Sequence, residues 1–86
     1  NGDEDWFVYQ AGKSQQVTLT LDCEQDIDGV IEVYKNGKMV AKSDYYGKYD
    51  NEVLSLKMTK GNYYIKIKEA NGEASINPYS LSVQAK

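Results

Sequence analysis

The residues of this sequence best suited to binding a metal ion are four acids at alternate positions, followed by a glycine. They are Asp22, Glu24, Asp26 and Asp28, with Gly29 after them. Calcium takes about six to eight oxygen ligands, and a loop with an acid at every second residue can supply several of them. An EF-hand that starts at Glu24 is excluded, because its twelfth position is Lys35 and a bidentate glutamate is required there.

Two interpretations of these acids stay open. In the first, the loop is solvated, Asp26 caps a turn and Asp28 precedes a strand. In the second, calcium binds either in this loop or where acids near the N-terminus meet acids of residues 44–50 at one end of the domain. Calcium is therefore the one cofactor that the sequence suggests. Its candidate ligands are Asp3, Asp5, Asp26, Asp28, Asp44 and Asp50.

A second group that could bind a ligand is a set of tyrosines in a polar segment, residues 45–49, where no apolar alternation requires them. Exposed aromatic rings provide contact area at low entropic cost and carry a hydroxyl, so they suit extended peptides and sugars. The alternative is that these rings cover the open edges of a small core. The predicted ligand-binding residues are Tyr45, Tyr46, Tyr49, Trp6 and Tyr64, joined by Tyr9 and Tyr34 if those rings also face outward.

Catalysis is disfavoured because the sequence contains no histidine. Its absence removes the usual acid–base group at neutral pH, the serine–histidine and cysteine–histidine pairs, and zinc sites built on imidazole. Ser43 and Ser80 therefore lack a base. Cys23 lies between Asp22 and Glu24, whose negative charges disfavour a reactive thiolate. We predict that the chain is not an enzyme.

The charge balance narrows the range of partners. The chain has 10 basic residues, all of them lysine, and 13 acidic ones, so its formal net charge is −3. A nucleic-acid binder normally presents a basic face, so we expect no nucleic-acid partner. No apolar run approaches the roughly 18–20 residues that span a bilayer, so we expect no membrane span.

The elements that must position these groups are short β-strands, because apolar residues recur at every second position. The clearest case is residues 16–21, where Val17, Leu19 and Leu21 alternate with two threonines. Seven such segments, with turns about 8–12 residues apart, predict an all-β fold, an antiparallel β-sandwich, and no helix. Asn36-Gly37 predicts a type I′ hairpin turn, which needs positive φ at both central residues.

The strand alternation also predicts a core, to which each strand contributes one apolar face. The predicted inner layer is Val8, Val17, Leu19, Leu21, Ile31, Val33, Leu54, Leu56, Ile65, Ile67, Tyr79, Leu81 and Val83.

The order of the segments resembles a known family. The residues that carry the resemblance are 3–9 (DEDWFVY), 17–21 (VTLTL), 26–34 (DIDGVIEVY), 60–67 (KGNYYIKI) and 77–83 (NPYSLSV). Each motif is short, but their order and spacing together are similar to bacterial pre-peptidase C-terminal domains, which are related to the collagen-binding domains of clostridial collagenases. This resemblance covers nearly the whole chain.

The resemblance implies a jelly-roll-like sandwich of about seven strands, non-catalytic and attached to a secreted or cell-surface bacterial hydrolase, commonly a peptidase. We therefore expect residues 1–86 to be one accessory domain taken from a longer chain. Its expected partners are the parent catalytic domain and a collagen-like or polysaccharide polymer to which it targets the parent, with calcium as a cofactor of the collagen-binding relatives. The alternatives are a carbohydrate-binding module, or a spacer or cleaved propeptide that binds no ligand.

Overall fold

A computed structural model of the chain describes residues 4–23, 29–43, 52–69 and 79–85. Seven β-strands make up nearly all of these residues, and none of the described residues is helical. The strands are β1 (Glu4–Ala11), β2 (Gln15–Cys23), β3 (Gly29–Lys35), β4 (Lys38–Ser43), β5 (Glu52–Met58), β6 (Gly61–Glu69) and β7 (Tyr79–Ala85). Within the described ranges, no helix is long and apolar enough to cross a membrane.

The described strands form two antiparallel sheets. The four-stranded sheet has the order β1-β6-β3-β4, and the three-stranded sheet has the order β5-β2-β7. The chain passes from one sheet to the other at every connection except the β3–β4 hairpin, as in a jelly roll. The predicted fold class, an all-β antiparallel sandwich, is confirmed.

The β3–β4 hairpin turns at the predicted dipeptide. Asn36 has a φ of 55° and Gly37 a φ of 78°, so both central residues are in the left-handed region that a type I′ turn requires. The pairing passes from Val33–Ala41 to Tyr34–Met39, so the extra residue, Val40, forms a bulge in β4 next to this turn. Such bulges increase the local twist of the strand.

The connection between β5 and β6 is held by a lysine from the neighbouring hairpin. The Lys35 ammonium donates to Thr59 Oγ1 at 2.8 Å and lies 4.8 Å from the centre of the Tyr63 ring. The Tyr63 hydroxyl accepts a hydrogen bond from the Thr59 backbone N–H at 2.9 Å. Burial raises the pKa of Tyr63, but the hydrogen bonds from Thr59 and Lys35 outweigh it and leave the pKa below its usual value.

The core lies between the two sheets and consists mainly of the residues that alternation predicts. Its buried members are Ala11, Val17, Leu19, Leu21, Ile31, Val33, Leu54, Met58, Tyr63, Ile65 and Ile67. Tyr9, Ala41, Leu56, Tyr79 and Leu81 are partly buried and pack against this cluster. The alternation in β2, β3, β5 and β6 is therefore sufficient to identify most of the core.

The prediction for β1 was wrong, because this strand turns its other face to the core. Val8 is 62% exposed and lies opposite Tyr64 on the outer face, whereas Phe7 lies opposite the buried Ile65. Apolar residues occupy both faces of β1, so alternation alone cannot choose between them. Pairing with β6 decides, since directly opposed residues share a face.

Val83 was also predicted in the inner layer, and it does lie on the inner face of β7, opposite Leu19. It is nevertheless 39% exposed. The reason is its position in β7, an edge strand of the smaller sheet, where one side of the sandwich is open.

Candidate functional site

The outer face of the four-stranded sheet carries an aromatic surface. Trp6 and Tyr64 are 52% and 43% exposed, and Tyr34 is half-buried beside them. The ring centres of Trp6 and Tyr34 are 5.5 Å apart with the planes tilted by 45°, a favourable arrangement for an aromatic pair. We call Trp6, Tyr34 and Tyr64 the aromatic face.

The strand register brings these side chains together. Tyr64 of β6 lies directly opposite Tyr34 of β3. Trp6 of β1 lies opposite Lys66, which is two residues after Tyr64 in β6 and therefore on the same face. Because side chains in a strand alternate between its faces, the even-numbered residues of these three strands all point away from the core. Three sheet strands therefore fix the positions of the rings.

A buried carboxylate lies beneath the aromatic face. Glu32 of β3 is almost fully buried, and its Oε1 accepts a hydrogen bond from the Tyr34 hydroxyl at 2.7 Å. Lys68 Nζ lies 3.1 Å from its Oε2, and Lys66 Nζ lies 3.7 Å from its Oε1. Lys66 also forms an ion pair with Glu4 at 3.4 Å and lies 5.5 Å from the centre of the Trp6 ring.

These contacts change the acidity of two groups in the site. Burial raises the pKa of Glu32, but the hydrogen bond from Tyr34 and the charges of Lys68 and Lys66 outweigh it, so the pKa lies below its ordinary value. The same hydrogen bond to Glu32, together with burial, raises the pKa of Tyr34. Glu32 is therefore ionised at neutral pH, and Tyr34 remains protonated as its donor.

The side chains of this surface are held in place and their charges are balanced. Two carboxylates, Glu4 and Glu32, face two ammonium groups, Lys66 and Lys68. Because these charges compensate one another, the surface offers aromatic contact area to a ligand without requiring that the ligand be charged. Ordered rings lose little side-chain entropy on binding, which favours affinity.

The structure places three of the predicted aromatic site residues together. Trp6, Tyr64 and Tyr34 share the outward face, as the binding hypothesis requires. Tyr9 does not join them, because it lies on the inner face of β1, where its hydroxyl accepts a hydrogen bond from Gln15 at 2.7 Å. The predicted binding residues Tyr45, Tyr46 and Tyr49 lie outside the described residues.

Sequence reasoning missed Glu32 and its two lysines. A single acid on an outward strand face is normally solvated, and alternation gives no indication that it is buried. The one available signal was the cross-strand relation between the acid of β3 and the two lysines of β6, which becomes visible once the β3–β6 register is known.

Of the predicted metal ligands, Asp5 is the one that the structure describes. Its carboxylate accepts a hydrogen bond from the Tyr79 hydroxyl at 2.7 Å, which joins β1 to β7. Among the described residues, no three acids or cysteines come together as a metal site would require. Asp3, Asp26, Asp28, Asp44 and Asp50 lie outside these residues, so calcium binding stays a prediction, which titration calorimetry with calcium can decide.

Comparison with solved structures identifies a similar domain. The 1.0 Å crystal structure of the pre-peptidase C-terminal domain of collagenase from Bacillus anthracis matches with a TM-score of 0.73. The match covers 94% of this chain and 76% of that chain, at 15% sequence identity. This chain has the pre-peptidase C-terminal domain fold. The resemblance predicted from the sequence is thus confirmed at the level of fold.

No protein-family model matches the sequence, and no curated protein does either. The likeness to the pre-peptidase C-terminal domain therefore rests on the arrangement of the strands. The motifs that carry the sequence resemblance lie mostly within β1, β2, β3, β6 and β7. They therefore mark strands of the same arrangement.

Proposed function

We propose that this chain is a non-catalytic accessory domain of a secreted bacterial hydrolase, most simply a peptidase, and that it holds its parent on a polymeric substrate. The observation that carries the proposal is the exposure of Trp6 and Tyr64 on one ordered sheet face. Support for a peptidase parent comes from the structural neighbour, which is a domain of a collagenase. Of the two serines considered as nucleophiles, Ser43 is buried and donates to the Val53 carbonyl, which suits a structural role.

The proposed mechanism is an increase in local concentration. Binding of the aromatic face to a polymer keeps the attached catalytic domain near its many cleavable bonds, so that each encounter becomes effectively intramolecular. Weak binding by each domain is sufficient for this purpose, because the polymer offers many equivalent sites. A balanced surface of aromatic rings suits a repeating ligand of low net charge, and both collagen-like polypeptides and neutral polysaccharides meet that description.

The experiment measures how much of the 86-residue chain is retained by insoluble fibrillar collagen, by cellulose and by chitin. We expect retention on one of these polymers and loss of roughly tenfold or more in affinity when Trp6→Ala and Tyr64→Ser are combined, because exposed aromatic anchors dominate binding energies. Val53→Ser is the matched control, since Val53 is similarly exposed but lies on the other sheet. Retention is measured by depletion of the chain from the supernatant.

The outcomes separate the competing functions. Retention on collagen favours targeting to a polypeptide substrate, whereas retention on cellulose or chitin favours a carbohydrate-binding module. A wild-type chain that stays in the supernatant with all three polymers would contradict the binding proposal and favour a spacer or cleaved propeptide. Equal retention of the double variant and the wild type would place binding elsewhere on the domain.

A further inference from the structure

Among the described strands, one side of the sandwich is open between the edges of β1 and β7. A groove of about 530 Å³ lies there, and its lining residues are Phe7, Val8, Tyr9, Ile65, Tyr79, Leu81 and Val83. No described strand of the smaller sheet lies opposite the inner face of β1, and Phe7 is 40% exposed although it points to the core side. The other side of the sandwich is closed, because Ser43 of β4 donates to the Val53 carbonyl of β5.

The β7 strand has the least protected edge of the described sheets. In the described part of the chain, β7 pairs with β2 alone, so alternate N–H and C=O groups of β7 point away from the sheet. Proteins usually protect such edges with charged residues, proline or bulges. The sequence of β7, YSLSVQA, contains none of these. The other edge strands carry charges: Glu4 and Asp5 in β1, Lys38 and Lys42 in β4, Glu52 and Lys57 in β5.

The dimensions of the open side favour a single strand over a second copy of the domain. The four-stranded sheet extends one strand beyond the smaller sheet, so β1 overhangs the position next to β7. A second sandwich paired through its own β7 would bring its larger sheet onto the position of β1. A lone extended segment fits beneath β1, because sheets in a sandwich pack about 10 Å apart face to face.

The groove also specifies the direction and chemistry of the segment. Antiparallel pairing continues the pattern of both sheets and places the C-terminal end of the segment beside the start of β7. Asp22 lies opposite Ser80 at that end, and Asp5 contacts Tyr79 there. A basic residue is therefore favoured near the C-terminal end of the segment. Inward positions meet Phe7, Leu81 and Val83, so alternate side chains should be aliphatic.

We propose that this chain binds an extended segment of a partner polypeptide by β-strand addition to the free edge of β7. Main-chain hydrogen bonds to β7 would supply affinity, and the apolar groove would select aliphatic residues at alternate positions. This site lies on the inner side of β1, whereas the aromatic face lies on its outer side. The proposal therefore does not rest on polymer binding by Trp6 and Tyr64, and either can fail without the other.

The test uses a blocked peptide in which threonine and valine alternate, ending in two lysines, added to the 86-residue chain. We expect the amide resonances of β7 to shift in NMR spectra and their hydrogen exchange to slow by at least tenfold. Val83→Lys places a charge in the groove, and Phe7→Ser removes its opposite wall, so each should weaken binding by roughly tenfold or more. Val53→Lys, at a similarly exposed position on β5, is the control and should bind like the wild type.

Several results would overturn the proposal. Equal binding of a peptide of the same composition with its valines placed together would mean that alternation is not recognised. Unchanged binding by both groove variants would place the peptide elsewhere. Protection of the β7 amides at the level of the β2 amides before any peptide is added would mean that another part of the polypeptide already covers the edge. A concentration-dependent dimer that the peptide dissociates would identify a second copy as the occupant.

Discussion

A Leu19→Ala variant should lose about 3–5 kcal/mol of unfolding free energy, the largest effect we expect from a single truncation. Leu19 is fully buried at the middle of β2, the central strand of the three-stranded sheet, and its neighbours across the sheet are Leu54 and Val83. Removal of the side chain loses its transfer free energy and leaves a cavity that strand pairing prevents from collapsing. Since domains of this size have about 5–15 kcal/mol in total, urea denaturation should reveal a large decrease in midpoint.

Two further truncations control this prediction. Leu81→Ala should cost about 1–2 kcal/mol, because Leu81 is partly buried and lines the open groove, so water can enter the space that it leaves. Val8→Ala should change stability by less than about 0.5 kcal/mol, because Val8 lies on the outer face of β1. A loss for Val8→Ala as large as that for Leu19→Ala would contradict the assignment of Phe7 to the inner face.

Glu32→Ala should destabilise the fold by about 2–4 kcal/mol, although the residue lies outside the apolar core. The substitution removes the hydrogen-bond acceptor of Tyr34 and the charge partner of both Lys66 and Lys68. Lys66 is largely buried, so it would keep a desolvated charge with reduced compensation. Chemical denaturation at neutral pH measures the loss, and Glu4→Ala is the control, because the Glu4 side chain is half exposed and should contribute under about 1 kcal/mol.

The contribution of Glu32 should also depend on pH with a defined sign. Its pKa is lower in the folded protein than in the unfolded chain, so the folded state binds the proton less readily. The stabilisation is therefore complete above the ordinary pKa near 4.5 and is lost as the pH falls through the lower folded value. The stability difference between wild type and Glu32→Gln should shrink over this acid range. A difference that is constant from neutral to strongly acid pH would mean that the carboxylate charge contributes nothing.

Most strands could be predicted from the sequence because they alternate or are bounded by a specific turn. In β2 one face is aliphatic and the other polar, and in β6 two isoleucines alternate with two lysines, which fixes the register of each strand relative to the core. The Asn36-Gly37 turn defined the β3–β4 hairpin. β1 could not be assigned in this way, because Trp6, Phe7, Val8 and Tyr9 are all apolar or aromatic and the face is decided by pairing with β6.

The candidate site was partly predictable for a related reason. Trp6 and Tyr64 were identified by residue type, but the outward face of Trp6 is decided by the pairing of β1 with β6 and not by strand period. The burial of Glu32 and the position of β7 at the edge of the described sheet could not be identified in advance, since both depend on which strands are neighbours in the sheets. Sequence pattern specifies the faces of a strand, whereas its neighbours are a property of the folded topology.

The measurement that tests the central claim most directly is hydrolysis of soluble and insoluble forms of one polymer by the full-length parent protein. The Trp6→Ala, Tyr64→Ser variant is compared with the wild type. We predict unchanged cleavage of the soluble form, because we propose that the domain takes no part in catalysis, and a decrease of roughly tenfold or more on the insoluble form, where local concentration matters. Equal cleavage of the insoluble form by both proteins would contradict targeting through the aromatic face. A parallel decrease on the soluble form would contradict the assignment of this chain as a non-catalytic accessory domain.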